Sequence, residues 1–420
     1  MPKILFIVVS RRVHRLGRAA QAPRRPVDQS QAHPLRFCPT ARALSDRPRL
    51  ADSPRMRIAV VGQIRPGSSR AHAINTIKTA GGFARLGHEV ACYTMACELP
   101  DPGAIYHEPS LTWVEAPEPE GDNPDECFGR WAANRILSDG CEFVYARNFW
   151  APLLTAEAGL PTVVETHAYI GSVNPLLDRT LCATRTLDAL RAVITIAPPL
   201  RDHFIERGAR ADRVRVVPDG VDFDLFTSPC ANPYETPGPR AVYAGHLYAY
   251  KGIFTILDAA ATLPHVRFEL VGGLPEDLRR TQRAVMERRL SNVVLHGLVP
   301  HALVPGYVCH ADALLLPPSA AEPSKDWTSP VKLGEYLATG VPIAASSIPA
   351  LTRVLNEPLV RFFKPDDGVA LARTIEACLC ESPEDPARER RIEQARTLSY
   401  SARAATILDA AGLAEARTAA

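Results

Sequence analysis

From Met56 onward the sequence alternates short apolar runs with segments of helical period, and it does so in two successive rounds. In the first round Arg57–Gly62 reads as a strand and residues 71–86 as a helix. Further strands are expected at Glu89–Thr94, Glu142–Ala146, Thr162–Thr166 and Ala192–Ile196. The pattern resets near residue 235, where Asn232–Arg240 (NPYETPGPR) is a Pro/Gly connection. Strands recur at Ala241–Ala244, Arg267–Val271, Val293–Leu295, Ala313–Leu316 and Ile343–Ala345. Strands separated by helices predict a parallel sheet with helices on both faces. Two such rounds without an internal repeat predict an α/β chain of two Rossmann-like, doubly wound domains facing a central cleft. Ligands in sheets of this kind bind beyond the carboxyl ends of the strands.

The expected division is a disordered Arg/Pro-rich extension over 1–55, domains over 56–235 and 236–395, and a C-terminal helix and tail over 396–420. Residues 1–10 (MPKILFIVVS) put an apolar core ahead of Arg11, Arg12 and Arg15, the reverse of a secretory signal. The apolar residues of about 402–411 are spaced to pack on something the sequence does not identify. No apolar run approaches the ~18–20 residues that span a bilayer. Hydrophobic content of 46% and charged content of 22% are those of an ordinary globular enzyme. A net charge of +2 makes no case for nucleic acid as a partner. The ten cysteines lack paired CxxC units, so neither structural zinc nor a disulfide framework is supported. Reduced thiols in a cytosolic compartment fit that pattern.

The stretch Ser329–Ala345 (SPVKLGEYLATGVPIAA) is a short helix with both ends written in, followed at once by a strand. Ser329 is suited to cap the free N–H groups, and Pro330 to the first helical position. Gly340 suits a left-handed stop, and Pro342 blocks continuation. Lys332, one residue beyond Val331, opposes the helix dipole by about 0.3–1 kcal/mol if exposed. An anion at the helix start removes that penalty. Glu335 lies three residues on, a carboxylate able to accept hydroxyl hydrogen bonds from whatever carries the anion. A phosphate beside a polyol is the simplest such ligand; a solvated Lys–Glu pair on a surface helix is the other reading.

Other loops after strands carry similar chemistry. Gly62–Ser69 has GxxxxG spacing but no lysine after the second glycine, which argues against a nucleotide triphosphatase. The absence of GxGxxG argues against a dinucleotide dehydrogenase. Ser69, Arg70 and His72 stand at the start of the helix that follows. His167 ends the strand Pro161–Thr166, with Arg147 at the end of the strand before it. A histidine there can bind a sugar hydroxyl or move a proton near neutral pH, or be structural. In the second round Gly245 permits close backbone approach, and Lys251 with the next helix start forms a second cationic site.

Taken in order, these segments resemble the retaining glycosyltransferases of family 4, which have the GT-B fold. The resemblance runs from SRAHAINTIKTAGGFARLGHEV at 69–90 through VVETHAYIG at 163–171, AVITIAPPLRDHFIERG at 192–208 and RVRVVPDGVD at 213–222. It continues with YAGHLYAYKG at 243–252, NVVLHGLVP at 292–300 and SPVKLGEYLATGVPIAAS at 329–346. It implies a C-terminal domain that holds a nucleoside diphosphate sugar and an N-terminal domain that holds the acceptor. By the same resemblance Lys251 contacts the donor diphosphate and Glu335 the ribose. His167 lies near the transferred sugar, and the main chain of Ser329, Pro330, Val331 and Lys332 lies against the diphosphate. Three positions depart from the family pattern. His246 stands where the partner cation is usually Arg, so its charge depends on pH. Trp327 stands at the first position of the ExxxxxxxE motif, and Asp219 replaces a common Asn.

The resemblance implies a hexosyltransferase-type enzyme of glycan biosynthesis that moves sugar to a hydroxyl with retention, using no metal and no cofactor. The acceptor is a glycan, lipid or small molecule that the sequence does not identify. The expected setting is cytoplasmic, with peripheral contact at the inner membrane left open. The alternatives are a GT-B nucleotide-sugar epimerase and a degenerate glycosyltransferase that only binds, the latter favoured by Trp327.

Overall fold

The computed structural model describes residues 55–68, 70–97, 101–118 and 123–413. The expected disordered extension lies outside them, apart from Arg55, and so does Ser69. All described residues belong to one contiguous unit, Arg49–Ala420.

Two parallel sheets organise the chain, as the alternation predicts. The first contains β1 (Arg57–Val61), β2 (Glu89–Met95), β3 (Thr112–Ala116), β4 (Phe143–Ala146), β5 (Thr162–Glu165), β6 (Leu190–Thr195) and β7 (Val214–Val216). Its order is β3-β2-β1-β4-β5-β6-β7. The second contains β8 (Arg240–Ala244), β9 (Arg267–Val271), β10 (Val293–Gly297), β11 (Ala313–Leu316), β12 (Ile343–Ser346) and β13 (Arg361–Phe363), in the order β10-β9-β8-β11-β12-β13. Central strands such as β4 (FVYA) and β11 (ALLL) are buried throughout, because helices cover both faces. Side chains alternate between those faces. Ile58 and Val60 therefore join one apolar cluster while Ala59 and Val61 join another. In the second sheet Val242 and Ala244 part from Ala241 and Tyr243 in the same way.

In each sheet the strand order reverses direction once, between β1 and β4 and between β8 and β11. The loops leaving those adjacent strands part to opposite faces and open a crevice at the carboxyl edge. The two sheets thus supply two ready-made ligand sites.

The helix at the C-terminus, Tyr400–Ala410, does not stay with the second sheet. Ala404, Ile407 and Leu408 enter the core of the first, where they meet the helix Ala71–Arg85. The approach is close: a Cβ on Gly82 would lie 2.2 Å from the Tyr400 carbonyl oxygen. Val221 N–H donates to Leu398 O (2.9 Å) and Tyr400 N–H to Val221 O (3.2 Å), so the two connections between the domains run side by side. Two side-chain contacts tie the outgoing connection to the first helix. Asn75 Nδ2 donates to Asp219 Oδ1 at 2.7 Å, and Lys78 Nζ lies 2.5 Å from Asp222 Oδ2.

Candidate active site

The crevice between β8 and β11 collects the second-domain residues singled out in the sequence. Gly245, directly after β8, has φ +141°, which a side chain rarely tolerates. A Cβ there would also lie 2.6 Å from Lys332 Nζ. The missing side chain lets Lys332 reach over the loop, where its ammonium sits 3.8 Å from the Tyr243 ring centroid, a cation–π contact. Lys251 ends the turn Ala249–Lys251, and its Nζ lies 5.2 Å from the Tyr250 ring centroid. Gly252 follows at φ +79°; a Cβ there would collide with the Pro317 carbonyl oxygen, so glycine lets this loop meet the loop after β11.

The two lysines crowd each other. Burial, then the nearby Lys251 charge, hold the Lys332 amine well below its usual range, with Glu335 opposing in part. Burial also lowers Lys251, against the attraction of Glu322. Among the described residues no carboxylate lies within 4 Å of either ammonium. A partly desolvated pair of like charges without a counter-ion is suited to an incoming anion.

The helix Val331–Thr339 ends as expected, on Gly340 at φ +71°. Its start differs from expectation. Pro330, not Ser329, occupies the cap position, and no side chain caps the helix. Ser329 Oγ accepts instead from Asp219 N–H at 3.4 Å, so its hydroxyl is turned toward the interdomain connection. Nor do Lys332 and Glu335 pair on one surface. Glu335 Oε1 lies 3.0 Å from His301 Nε2. Burial disfavours charge on His301, but the Glu335 hydrogen bond and charge outweigh it and raise the imidazole above its ordinary 6.5. His246 moves the other way: burial, then the Lys332 charge, lower it. Its ring stacks on Tyr248 at 5.2 Å, which stacks on Tyr250 at 5.3 Å.

Trp327, the departure in the ExxxxxxxE motif, is half-buried. It packs on an apolar cluster of the first domain that includes Leu177, Val193 and Leu200, reaching across from the loop after β11. Indole replaces carboxylate there as an interdomain contact. The acidic side chain on that loop whose field reaches Lys251 is Glu322.

On the first domain His167 follows β5 and lies against Glu165, with Nε2 2.7 Å from Oε1. Glu165 is fully buried, and its other oxygen accepts from Tyr145 Oη at 2.6 Å and Arg403 Nη2 at 2.5 Å. Burial alone would raise this carboxyl. Arg403, the His167 hydrogen bond and Arg147 together hold it well below its usual range. Arg147 Nη1 donates to His72 O at 3.1 Å, bringing the expected acceptor-side residues together. His72 is lowered by partial burial and then by Arg147, Arg70 and His167, so four basic side chains share this wall. Arg70 caps the Ala71–Arg85 helix through its backbone and is exposed.

Glu165, His167 and Asp219 offer ligand atoms within 4.8 Å of one another. Arg403 and Arg147 flank that carboxylate, and Asn75 holds Asp219, so the donor set fits a closed hydrogen-bonded network better than a divalent cation. Local reading of the sequence missed Arg403, Tyr145 and His301, because each acts through a partner distant in the chain. Gln63 and Asn148, which line the crevice between β1 and β4, were legible in principle as polar residues just past strand ends.

Residues 76–225 match the model of Glycosyltransferase Family 4, and residues 238–381 match that of Glycosyl transferases group 1. A D-inositol 3-phosphate glycosyltransferase of Xylanimonas cellulosilytica is 24% identical over 396 residues, 82% of this chain and 92% of that protein. A glycosyltransferase from Rickettsia africae superposes with a TM-score of 0.69 at 15% identity, covering 87% of this chain and all of that one. The Anabaena HepE protein, solved in complex with UDP and glucose, gives 0.62 at 16% identity, covering 84% of this chain and 98% of that one. Among the described residues no helix is long and apolar enough to cross a membrane. With two parallel-sheet domains in the GT-B arrangement and family models matching well over half its length, the chain belongs to glycosyltransferase family 4.

Proposed function

We propose that this glycosyltransferase takes its sugar from a nucleoside diphosphate donor held at the β8/β11 crevice. It transfers that sugar to an acceptor hydroxyl with retention and without a metal. The observation that carries the reading is the Lys251–Lys332 pair, two partly desolvated ammonium groups without a carboxylate partner, beside the uncapped start of the Val331–Thr339 helix. Lysines and free backbone N–H groups there answer the charge that a metal would otherwise balance on a diphosphate. The UDP in the Anabaena neighbour supports a nucleotide ligand in this fold.

In the proposed step the bond from the anomeric carbon to the diphosphate oxygen breaks, and its electron pair leaves with the diphosphate. The acceptor hydroxyl oxygen bonds the same carbon on the same face, and the hydroxyl proton passes to the departing oxygen. Lys251, Lys332 and the helix start stabilise that oxygen as charge develops on it. Glu335 takes the ribose hydroxyls while keeping His301 on its other side. His167, held by Glu165, takes a hydroxyl of the transferred sugar, and Glu322 supplies the carboxylate that Trp327 does not.

The test is a thermal-shift screen against UDP, GDP and ADP and then their sugars, in EDTA, followed by product analysis with and without acceptor. One nucleotide stabilising the protein, with transfer only when acceptor is present, supports the reading. Isomerised donor without acceptor indicates an epimerase, and binding without turnover a binding subunit.

A further inference from the structure

Trp327 occupies the first position of the ExxxxxxxE motif, and its surroundings give the indole a task that a carboxylate there could not perform. It lies in the loop between β11 and the helix Val331–Thr339, residues 317–330. The other residues of the apolar cluster it packs on all fall between Phe149 and Val214, in the first domain. Among the described residues, Trp327 is the second domain's one contribution to that cluster.

The same loop carries part of the donor crevice. Near its start Ser319 N–H donates to Tyr250 O at 3.0 Å, and the Pro317 carbonyl lies against Gly252, so the loop is laced to the turn that bears Lys251. Glu322 follows, and the loop ends at the uncapped helix start on Pro330. Around the indole the chain is turned tightly. Trp327 N–H and Thr328 N–H both donate to Ser324 O, at 3.1 and 2.8 Å, and Arg353 Nη1 donates to Asp326 O at 2.8 Å. A displacement of the ring is therefore passed to Glu322 on one side and to the helix start on the other.

Beside the ring the interface is loose. Residues 196–199, after β6, face residues 328–330 across a cavity of about 110 Å³, well under the roughly 300–1,000 Å³ of a ligand pocket. The indole bridges the domains next to that gap. A covered aromatic side chain buries about 150–250 Å², and drawing the domains apart would return much of that surface to water. A carboxylate at this position would have to be desolvated against the same apolar wall, which opposes the contact.

We infer that Trp327 is a positioning residue that clamps the loop 317–330 onto the first domain, setting Glu322 and the helix start at the spacing from His167 that transfer requires. The inference rests on the donor assignment above, since the groups positioned are those of the donor crevice. Lys251 and Lys332 both belong to the second domain, so nucleotide binding does not need the clamp; the step that uses both domains does.

Trp327→Ala, Trp327→Phe and Trp327→Glu in the full chain test it. Calorimetry reads nucleotide affinity, and product analysis with the nucleotide sugar identified by thermal shift reads transfer and donor hydrolysis. For Trp327→Ala the clamp predicts nucleotide affinity within about twofold of the wild type and kcat for transfer down by about 10–10²-fold, with a larger share of donor lost to water. Trp327→Phe, which keeps an apolar ring, should recover most of that loss. Trp327→Glu, which restores the motif's carboxylate, should do no better than Trp327→Ala. Acrylamide quenching of the emission difference between wild type and Trp327→Phe gives a readout that needs no donor, and should find this indole shielded. The inference is overturned by Trp327→Glu turning over at or above the wild-type rate, by Trp327→Phe doing no better than Trp327→Ala, or by affinity and rate falling in parallel. Unchanged kcat in Trp327→Ala, or quenching as efficient as for free indole, overturns it equally. A wild type that binds no nucleotide speaks against the donor reading, and the quenching result then decides the clamp.

Discussion

Arg403, near the C-terminus, places Nη2 2.5 Å from Oε2 of Glu165, and neither side chain is more than 1% exposed. Arg403 Nε also donates to Pro218 O at 2.9 Å and Nη1 to Thr79 Oγ1 at 3.0 Å. One guanidinium thus joins the returning helix, the interdomain connection and the carboxylate that holds His167. Arg403→Leu takes the strongest charge partner from that buried carboxylate, leaving it Arg147, His167 and Tyr145, and should lower unfolding free energy by up to about 3–5 kcal/mol. Urea denaturation reads this. Arg403→Leu combined with Glu165→Leu should recover part of the loss, because the buried carboxylate is removed along with its main partner.

Two carboxylate pairs give opposite pH signatures. Glu165 is held below its ordinary 4.5 when folded. Its contribution is therefore complete above that pH and is lost as pH falls through the lowered value. His301 is raised above 6.5 by Glu335, so its contribution is complete below 6.5 and is lost as pH rises through the raised value. The pair is partly exposed and worth under ~1 kcal/mol. Urea midpoints above pH 6.5 should decline in the wild type by more than in His301→Ala, where this slope is absent.

Binding of a nucleoside diphosphate should weaken with alkali. Both lysines of the donor crevice are lowered, so raising pH discharges them before ordinary lysines lose their protons. Calorimetry across pH 7 to about 10 should show affinity falling and proton uptake on binding; Lys332→Met should bind more weakly and with a flatter pH dependence. Equal slopes in the two proteins would remove Lys332 from the site.

Gly252→Ala should damage the site without any change of charge. Its φ of +79° carries a strain of about 1–3 kcal/mol for a side chain, and the new Cβ would drive the loop off the Pro317 carbonyl. The measurement is nucleotide affinity beside thermal midpoint: both should fall, with Lys251 displaced. Gly140→Ala, with φ +67° and nothing within 4 Å, is the control that carries strain alone.

The buried strands were legible in the sequence because burial on both faces leaves continuous apolar runs. β3, β7 and β13 were not, and all three are at sheet edges. Thr112–Ala116 keeps only Ala116 buried, and Val214–Val216 only Val214, so partial exposure breaks the signal. Gly245 and Gly340 were readable from local chemistry, since a turn or a helix end demands them. The start of the Val331–Thr339 helix was misjudged because Ser329 is claimed by Asp219, 110 residues away, and Arg403 with Glu165 is a pair 238 residues apart. Periodicity carries no information on such partners.

The central claim is that Lys251 and its neighbours receive the diphosphate of a sugar donor. Turnover of the nucleotide sugar identified by thermal shift, measured in EDTA for wild type and Lys251→Ala, tests it most directly, with circular dichroism to verify the fold. The account predicts a loss of at least about 10²–10³ in rate with the spectrum unchanged. Near-normal turnover by a folded Lys251→Ala would contradict it.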